Sequence, residues 1–151
     1  QAVAKLQRIV REKNLDQFIE IEETTRGVHV TIGDPALFDS GSAVIKSQIF
    51  PLLDGVGELI EEGSDDEYIR VEGHTDNMPI NTLQYEDNWE LSIARALSVI
   101  RYIRENNDLD PKRLIPVGCG EYHPIEPNDT PEGRALNRRV ELFIIMNEVR
   151  S

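Results

Sequence analysis

The sequence predicts an α/β or α+β sandwich in which helices pack against one sheet. Short stretches with apolar residues at every second position alternate along the chain with longer stretches that have apolar residues at helical spacing. Turn-rich segments such as "GDPALFDSGSA" separate them. The 151 residues are enough for one domain with a substantial core.

The first half of the chain predicts a helix, a strand and a second helix. Residues 1–21 carry apolar side chains at positions 3, 6, 9 and 10, the spacing of a weakly amphipathic helix. Residues 27–32, "GVHVTI", alternate as a half-buried strand does. Residues 45–62 predict a helix, and Pro51 predicts a kink or a late start. The apolar side of that helix comprises Ile45, Ile49, Leu52, Leu53, Val56 and Ile60.

A second strand and a long helix follow an acidic connection. Residues 68–76, "YIRVEGHTD", predict a strand that buries Ile69 and Val71. Residues 88–105 predict a helix, with Asp87 as the N-cap and Glu90 three residues later. The apolar stripe expected on this helix consists of Ile93, Leu97, Ile100 and Ile103.

The last third predicts a strand, a helix and a final strand. Ile115, Val117 and Cys119 share one face of a short strand, with Cys119 expected in the core, and Pro116 indicates an edge or an irregularity. Thr130 is the expected cap of a helix that starts with Pro131. Residues 140–146, "VELFIIM", predict a strongly apolar strand.

Composition excludes several classes of function. The net charge of −12 disfavours general affinity for nucleic acid or for an anionic membrane surface, because both require basic surface. A single cysteine rules out an internal disulfide. No apolar stretch approaches the roughly 20 residues that span a bilayer. Because the chain begins at Gln1, we expect a processed protein or an excised fragment.

The stretch "VEGHTD" raises the question of metal binding or catalysis. His74 and Asp76 lie two residues apart on a predicted strand and should point to one face. A transition metal requires further ligands of similar quality, and the other histidines, His29 and His123, are isolated in sequence. A nucleophilic Cys119 would need a histidine brought near by chance. We therefore expect no catalytic residue, no metal and no cofactor.

Binding of a charged ligand is better supported. Asp76 falls at the end of a strand, Arg95 lies in the second turn of the next helix, and Asn88 lies two turns earlier on the same face. A carboxylate and a guanidinium beside one pocket can hold the ammonium and the carboxylate of a single ligand. The alternative is an internal Asp76–Arg95 salt bridge. The basic cluster Arg134, Arg138 and Arg139 has the same two interpretations, pocket lining or internal pairing.

Four separated motifs carry a family resemblance between residues 27 and 146. They are "LFDSGSAVIKSQIFPLLDGVGELI", "VEGHTDNMPI", "NWELSIARALSVIRYI" and "LIPVGCGEYHPIEPNDTPEGRALNRRVEL". In order and spacing they resemble the OmpA-like peptidoglycan-binding domains. The long loop in "DNMPI…NWELSIARA" is most similar to the flagellar stator subunits of that family, the MotB type. The implied fold is a βαβαβ two-layer sandwich with a mixed sheet, helices on one face and an additional N-terminal helix.

The resemblance also implies a ligand-binding site. In the family the aspartate of the HTD motif, here Asp76, and the arginine of the S-x-A-R motif, here Arg95, hold the diamino acid of the peptidoglycan stem peptide. Asp76 would take the ammonium and Arg95 the α-carboxylate. The residues implied to line or support the pocket are Asn88, Thr75, Phe38, Asp39, Leu91, Asn137 and Arg138.

The resemblance implies partners and a location as well. Members of this type anchor the stator to peptidoglycan, act as homodimers, and work with a MotA-like membrane protein. The chain would then be extracytoplasmic and tethered to the cytoplasmic membrane by an upstream helix, and no nucleic acid is expected. The predicted organisation is an N-terminal helix or linker at 1–26, the binding domain at 27–146 and a tail at 147–151. The alternative is an envelope anchor unrelated to motility.

Overall fold

A computed structural model describes residues 2–147, so most of the predicted tail lies outside the described residues. These residues form a five-stranded sheet with helices on one side. The helices are α1 (Ala2–Glu12), α2 (Asp34–Leu37), α3 (Phe50–Glu62), α4 (Asn88–Glu105) and α5 (Pro131–Asn137). The strands are β1 (Ile19–Thr24), β2 (Gly27–Gly33), β3 (Tyr68–His74), β4 (Leu114–Gly118) and β5 (Arg139–Ile145).

The sheet is mixed, with the strand order β1-β2-β5-β3-β4. Only β3 and β4 pair in parallel, through a crossover that contains α4, and the other neighbouring pairs are antiparallel. The apolar positions of the three central strands alternate and are buried on one face, where they share one hydrophobic core with residues of α3 and α4. The fold class predicted from the sequence is therefore confirmed. Among residues 2–147, no helix has both the length and the apolar character of a membrane span.

The helix predicted over residues 1–21 ends early. It stops at Glu12, and Asn14 adopts a left-handed conformation with φ of 56°, which suits asparagine just beyond a helix. The chain then forms β1, which pairs antiparallel with β2 through a tight hairpin closed by Thr24 and Gly27. The sequence prediction missed β1. The start of the binding domain at residue 27 stays a prediction.

The apolar stripe predicted on α4 is partly wrong. Ile93 is 44% exposed, whereas the buried face runs through Leu91, Arg95 and Val99. Because this buried face includes the polar residues Asn88 and Arg95, the positions of the apolar residues alone did not identify it. The predicted cap is confirmed, since the Asp87 side chain accepts a hydrogen bond from the Glu90 backbone N–H.

Proline positions were informative. Pro51 lies in the first turn of α3 after a 3-10 turn at Ser47–Ile49, so the helix starts late, as predicted. Pro116 lies on β4, an edge strand, and Pro131 opens α5 behind a Thr130 cap. Cys119 is half-buried on the face away from the helices, so its predicted place in the core is wrong. It follows the end of β4 and does not reach the helix-covered side.

Candidate functional site

A cavity of about 570 Å³ opens where β3 ends. The loop after β3 forms one wall, the first turns of α4 a second, and the segment from α2 to residue 46 a third. Its size is that of an ordinary small-molecule pocket. The lining residues are Asp34, Pro35, Phe38, Asp39, Ser40, Gly41, Lys46, Thr75, Asp76, Met78, Pro79, Ile80, Asn88, Leu91, Arg95 and Arg138.

Asp76 is held in place by the loop that follows it and by an arginine. Its Oδ1 accepts a hydrogen bond from the Met78 backbone N–H at 3.0 Å. Its Oδ2 lies 2.7 Å from Nη1 of Arg138, and the Asp76 side chain is only 9% exposed. The Arg138 side chain is 40% exposed. The carboxylate is therefore fixed at the cavity wall, and the cation paired with it is half in solvent.

Asn88 ties the start of α4 to this loop. Its side-chain amide donates to the backbone carbonyls of Asp76, at 3.3 Å, and Met78, at 3.0 Å. These bonds set the position of the loop relative to α4, on which Leu91 and Arg95 face the same cavity. The prediction that Asn88 and Arg95 share one helix face is confirmed.

Arg95 is buried and already paired. Its Nη1 donates to both carboxylate oxygens of Asp34, at 2.9 and 2.7 Å. Nε donates to the Ser42 carbonyl and Nη2 to the Asp39 carbonyl, while the guanidinium stacks over the Phe38 ring at 4.8 Å. The arginine therefore organises the loop from 34 to 42 as well as the cavity wall.

The internal Asp76–Arg95 salt bridge, one of the two alternatives that the sequence left open, is not formed. Each group has a different partner, Arg138 for Asp76 and Asp34 for Arg95. Nothing in the sequence identifies Asp34 as the partner of Arg95, because it lies in a turn-rich segment where a buried acid is not expected. Burial raises the pKa of the Asp34 carboxyl, and the charge of Arg95 opposes that rise.

Eight of the nine predicted site residues line the cavity. Asn137 does not, because its side chain bonds to the backbone of Ile125 and Glu126 and to the Asn128 side chain. It therefore holds the loop before α5. The lining that the sequence had not suggested comes mostly from Asp34, Lys46 and the loop from Met78 to Ile80.

The three arginines of the basic cluster, Arg134, Arg138 and Arg139, lie in different surroundings. Only Arg138 reaches the cavity. Arg134 donates to the Asn128 carbonyl, and Arg139 is buried against Glu141 and the backbone carbonyls of His123 and Asn137. The two interpretations of the cluster are thus both present, in different residues.

His74 lies on the other side of the sheet from the cavity lining. Its Nε2 is 3.1 Å from Glu72 Oε1, and its ring is 3% exposed. The expected common face of His74 and Asp76 is wrong, because β3 ends at His74 and the chain then turns at Thr75, whose N–H donates to the Gly120 carbonyl. A metal bound by His74 together with Asp76 has no support in this geometry.

The charges around the cavity balance. Asp34, Asp39 and Asp76 supply three carboxylates, and Lys46, Arg95 and Arg138 supply three cations. In a chain of net charge −12, a neutral mixture of both signs is a local departure from the average. Such a lining suits a ligand that carries both an ammonium and a carboxylate.

Comparison with known proteins agrees with the fold and the motifs. The OmpA family profile matches residues 37–138. Motility protein B of Bacillus subtilis is 37% identical over 142 residues, which are 94% of this chain, and the match spans 54% of that relative.

Solved structures share the fold over most of the chain. The type VI secretion system cell wall anchor from Pseudomonas aeruginosa has a TM-score of 0.80 and 33% identity, covering 94% of this chain and 97% of that one. The periplasmic domain of Helicobacter pylori MotB has a TM-score of 0.71 and 26% identity, covering 85% and 88%. With its motifs, its sheet and the profile match in agreement, the chain belongs to the OmpA family.

Proposed function

We propose that this domain binds peptidoglycan without chemical change and anchors a flagellar stator to the cell wall. The observation that carries the proposal is the cavity at the end of β3, where buried Asp76 faces a charge-balanced lining. Its ligand is the stem peptide, whose diamino acid carries an ammonium beside a carboxylate. The chain would lie outside the cytoplasm, as does the periplasmic domain of its H. pylori structural neighbour.

Binding would proceed by exchange of ion pairs. The ligand ammonium takes the place of Arg138 at Asp76. Because the Arg138 side chain is 40% exposed, its guanidinium can move further into solvent when the ammonium binds. The ligand carboxylate is held on the other side by Arg95 and by the released Arg138. Arg95 contributes from a fixed position, because Asp34 and two backbone carbonyls hold its guanidinium.

The flagellar assignment is supported by the 37% identity to Motility protein B of B. subtilis over nearly the whole chain. In that setting the remainder of the protein would supply a membrane tether, the partner would be a MotA-like membrane protein, and the chain would work as a homodimer. A second candidate is an envelope anchor outside motility, which the structural similarity to the P. aeruginosa secretion-system anchor favours.

Sedimentation with purified peptidoglycan sacculi tests the binding site. Asp76→Asn should reduce affinity about 10- to 100-fold, because hydrogen bonds to charged groups contribute about 1.5–3 kcal/mol. Asp108→Asn removes the same charge at an exposed position outside the cavity and should bind like wild type. If Asp76→Asn folds normally and sediments like wild type, the site assignment is wrong.

Arg95→Ala is a poor test of binding, since it leaves Asp34 buried without its cation and threatens the fold. Arg138→Gln is the better second variant, because that side chain is partly exposed and its loss leaves Asp34–Arg95 intact. Weaker retention of this variant would show that the released arginine holds the ligand.

A chimera separates the two candidates. The corresponding segment of B. subtilis Motility protein B would be replaced by this domain, and swimming would be measured in soft agar. Swimming that depends on Asp76 supports the stator assignment. Normal peptidoglycan binding in the sedimentation assay without swimming favours the other anchor.

A further inference from the structure

The sheet face opposite the helices carries a group of metal-ligand side chains that the cavity does not use. Glu72 and His74 are two residues apart on β3, and Cys119 follows the neighbouring strand β4. One imidazole nitrogen, the thiol sulfur and a carboxylate oxygen lie within 4.8 Å of one another. We propose that Glu72, His74 and Cys119 form a binding site for Zn²⁺.

The set of ligand types selects the metal. Thiolate, imidazole and carboxylate together suit Zn²⁺, a borderline-soft ion that accepts sulfur, nitrogen and oxygen ligands. At zinc–ligand distances of about 2.0–2.3 Å, tetrahedral ligand atoms lie about 3.5 Å apart. Reaching this spacing would require the Glu72 and Cys119 side chains, both of which are partly exposed, to rotate toward His74. A water molecule would complete the fourth position.

The state of His74 is an independent indication of a ligand. The ring is 3% exposed, and Nδ1 is buried without a hydrogen-bond partner among residues 2–147. Buried polar atoms are rarely left unpaired, because the loss of water is costly. The other nitrogen, Nε2, faces Glu72 Oε1. Nδ1 is therefore the nitrogen that would be available to the ion, and the Glu72 contact with Nε2 would be given up when Glu72 binds the metal.

Zinc binding would release the proton of the Cys119 thiol to solvent as the sulfur–zinc bond forms, because the thiolate is the form that binds metal.

The net charge of the side chains around the group favours a bound cation. Glu72 Oε2 pairs with Arg70, and Arg139 pairs with Glu141, whose other contacts include the Nε2 of His74 at 3.6 Å. With the thiol ionised, two carboxylates and one thiolate face two guanidiniums, which leaves one net negative charge. The arginines also fix the carboxylates, as outer partners of metal ligands commonly do.

Cobalt substitution tests the site. The purified chain is treated with a chelator, and Co²⁺ is then added. A thiolate-to-cobalt absorption band in the near ultraviolet should appear with one equivalent, and Zn²⁺ should displace it. Cys119→Ser should remove the band and weaken Zn²⁺ binding by at least about 100-fold, more than the loss of an outer partner costs.

His29→Gln is the matched control. His29 lies on the same sheet face, between Glu22 and Glu141, but outside the proposed ligand set. It should leave the cobalt band unchanged. Loss of the band in His29→Gln would overturn the proposal, as would Co²⁺ binding without a thiolate band or no binding at all.

A second measurement does not depend on whether variants of the buried His74 fold. Zn²⁺ should slow alkylation of Cys119 by iodoacetamide in the wild-type chain, and Glu72→Gln should reduce this protection. Asp76→Asn should leave it intact, since the cavity is separate from the group. Equal alkylation rates with and without Zn²⁺ would contradict the site. None of these readouts depends on peptidoglycan binding.

Discussion

Arg95 can occupy a buried position because Asp34 lies opposite it. The guanidinium is 2% exposed and is surrounded by one carboxylate, two carbonyls and an aromatic ring. A charge of this kind is tolerated only when paired. The pair therefore links the two segments that form opposite cavity walls, residues 34–42 and α4.

We expect Arg95→Ala and Asp34→Ala each to lower the free energy of unfolding by about 3–5 kcal/mol, because each leaves one buried charge uncompensated. Urea denaturation measures the loss. The double variant should lose less than the sum of the two, since the second substitution removes the uncompensated partner. Lys5→Ala, which breaks an exposed pair with Glu58, is the control and should change stability by less than about 1 kcal/mol. Strict additivity would contradict this account.

At this scale the sequence predicted which side chains would line the cavity better than how they pair. Asp76 and Arg95 were found from strand and helix positions, and both line the cavity. The sequence did not predict that Asp76 pairs with Arg138 and Arg95 with Asp34, because pairing depends on where distant loops meet. Asn137 was placed in the pocket by motif alone, whereas its backbone bonds hold a neighbouring loop.

The close approach of α4 to β3 is the decisive contact between secondary-structure elements. Gly73 of β3 lies directly under the helix, and a Cβ at this position would come within 2.2 Å of the Ser92 carbonyl oxygen. Backbone cannot move aside as a side chain can. The glycine therefore fixes the depth at which α4 sits, and with it the position of Asn88 and Arg95.

Gly73→Ala should destabilise the fold by about 1–3 kcal/mol and displace α4, since overpacking against backbone forces the helix outward. Urea denaturation and near-ultraviolet circular dichroism of Trp89, in the first turn of α4, would report both effects. Gly33→Ala provides the comparison, because the nearest atom to its added Cβ is 3.5 Å away. Similar losses in both variants would argue against the helix-contact explanation.

Among the elements, those with clear apolar periodicity were predictable and β1 was not. The helical spacing of apolar residues in α1 continues without a clear break into "FIEIEE", where the alternation typical of a strand is short and rich in glutamate. β1 adopts a strand conformation because it pairs with β2, and this tertiary contact cannot be predicted from local residue propensities. Caps and prolines gave the other boundaries because their signals are local.

At the scale of the whole molecule, ionisable side chains on the sheet face opposite the helices make the stability depend on pH. Glu141 bridges toward His29 on β2 and toward Arg139 and His74 on its other side. The hydrogen bond to Glu141 raises the pKa of His29, whereas burial lowers the pKa of His74. The contacts of Glu141 with His29 and Arg139 outweigh its burial and lower its pKa to about 2.

The raised pKa of His29 means that its stabilising proton is fully present below the unfolded value of 6.5 and is lost as pH rises through the folded value. Wild type should therefore lose more stability than His29→Gln between about pH 6 and about pH 9. Urea midpoints at the two pH values measure this. The lowered pKa of Glu141 affects stability in the acidic range. Its contribution to the free energy of unfolding is present above pH 4.5 and is lost as the pH falls toward about 2. Equal pH slopes for wild type and His29→Gln would contradict the assignment.

The two edges of the sheet determine how copies of the domain can meet. β4 is short and has Pro116, which has no N–H to donate, and β1 carries Glu20, Glu22 and Glu23, whose charges would repel an identical strand. Neither edge favours growth of the sheet from one molecule into the next. A dimer of this chain would then join through helices or loops, and densely crowded molecules would resist forming continuous cross-molecular β-structure.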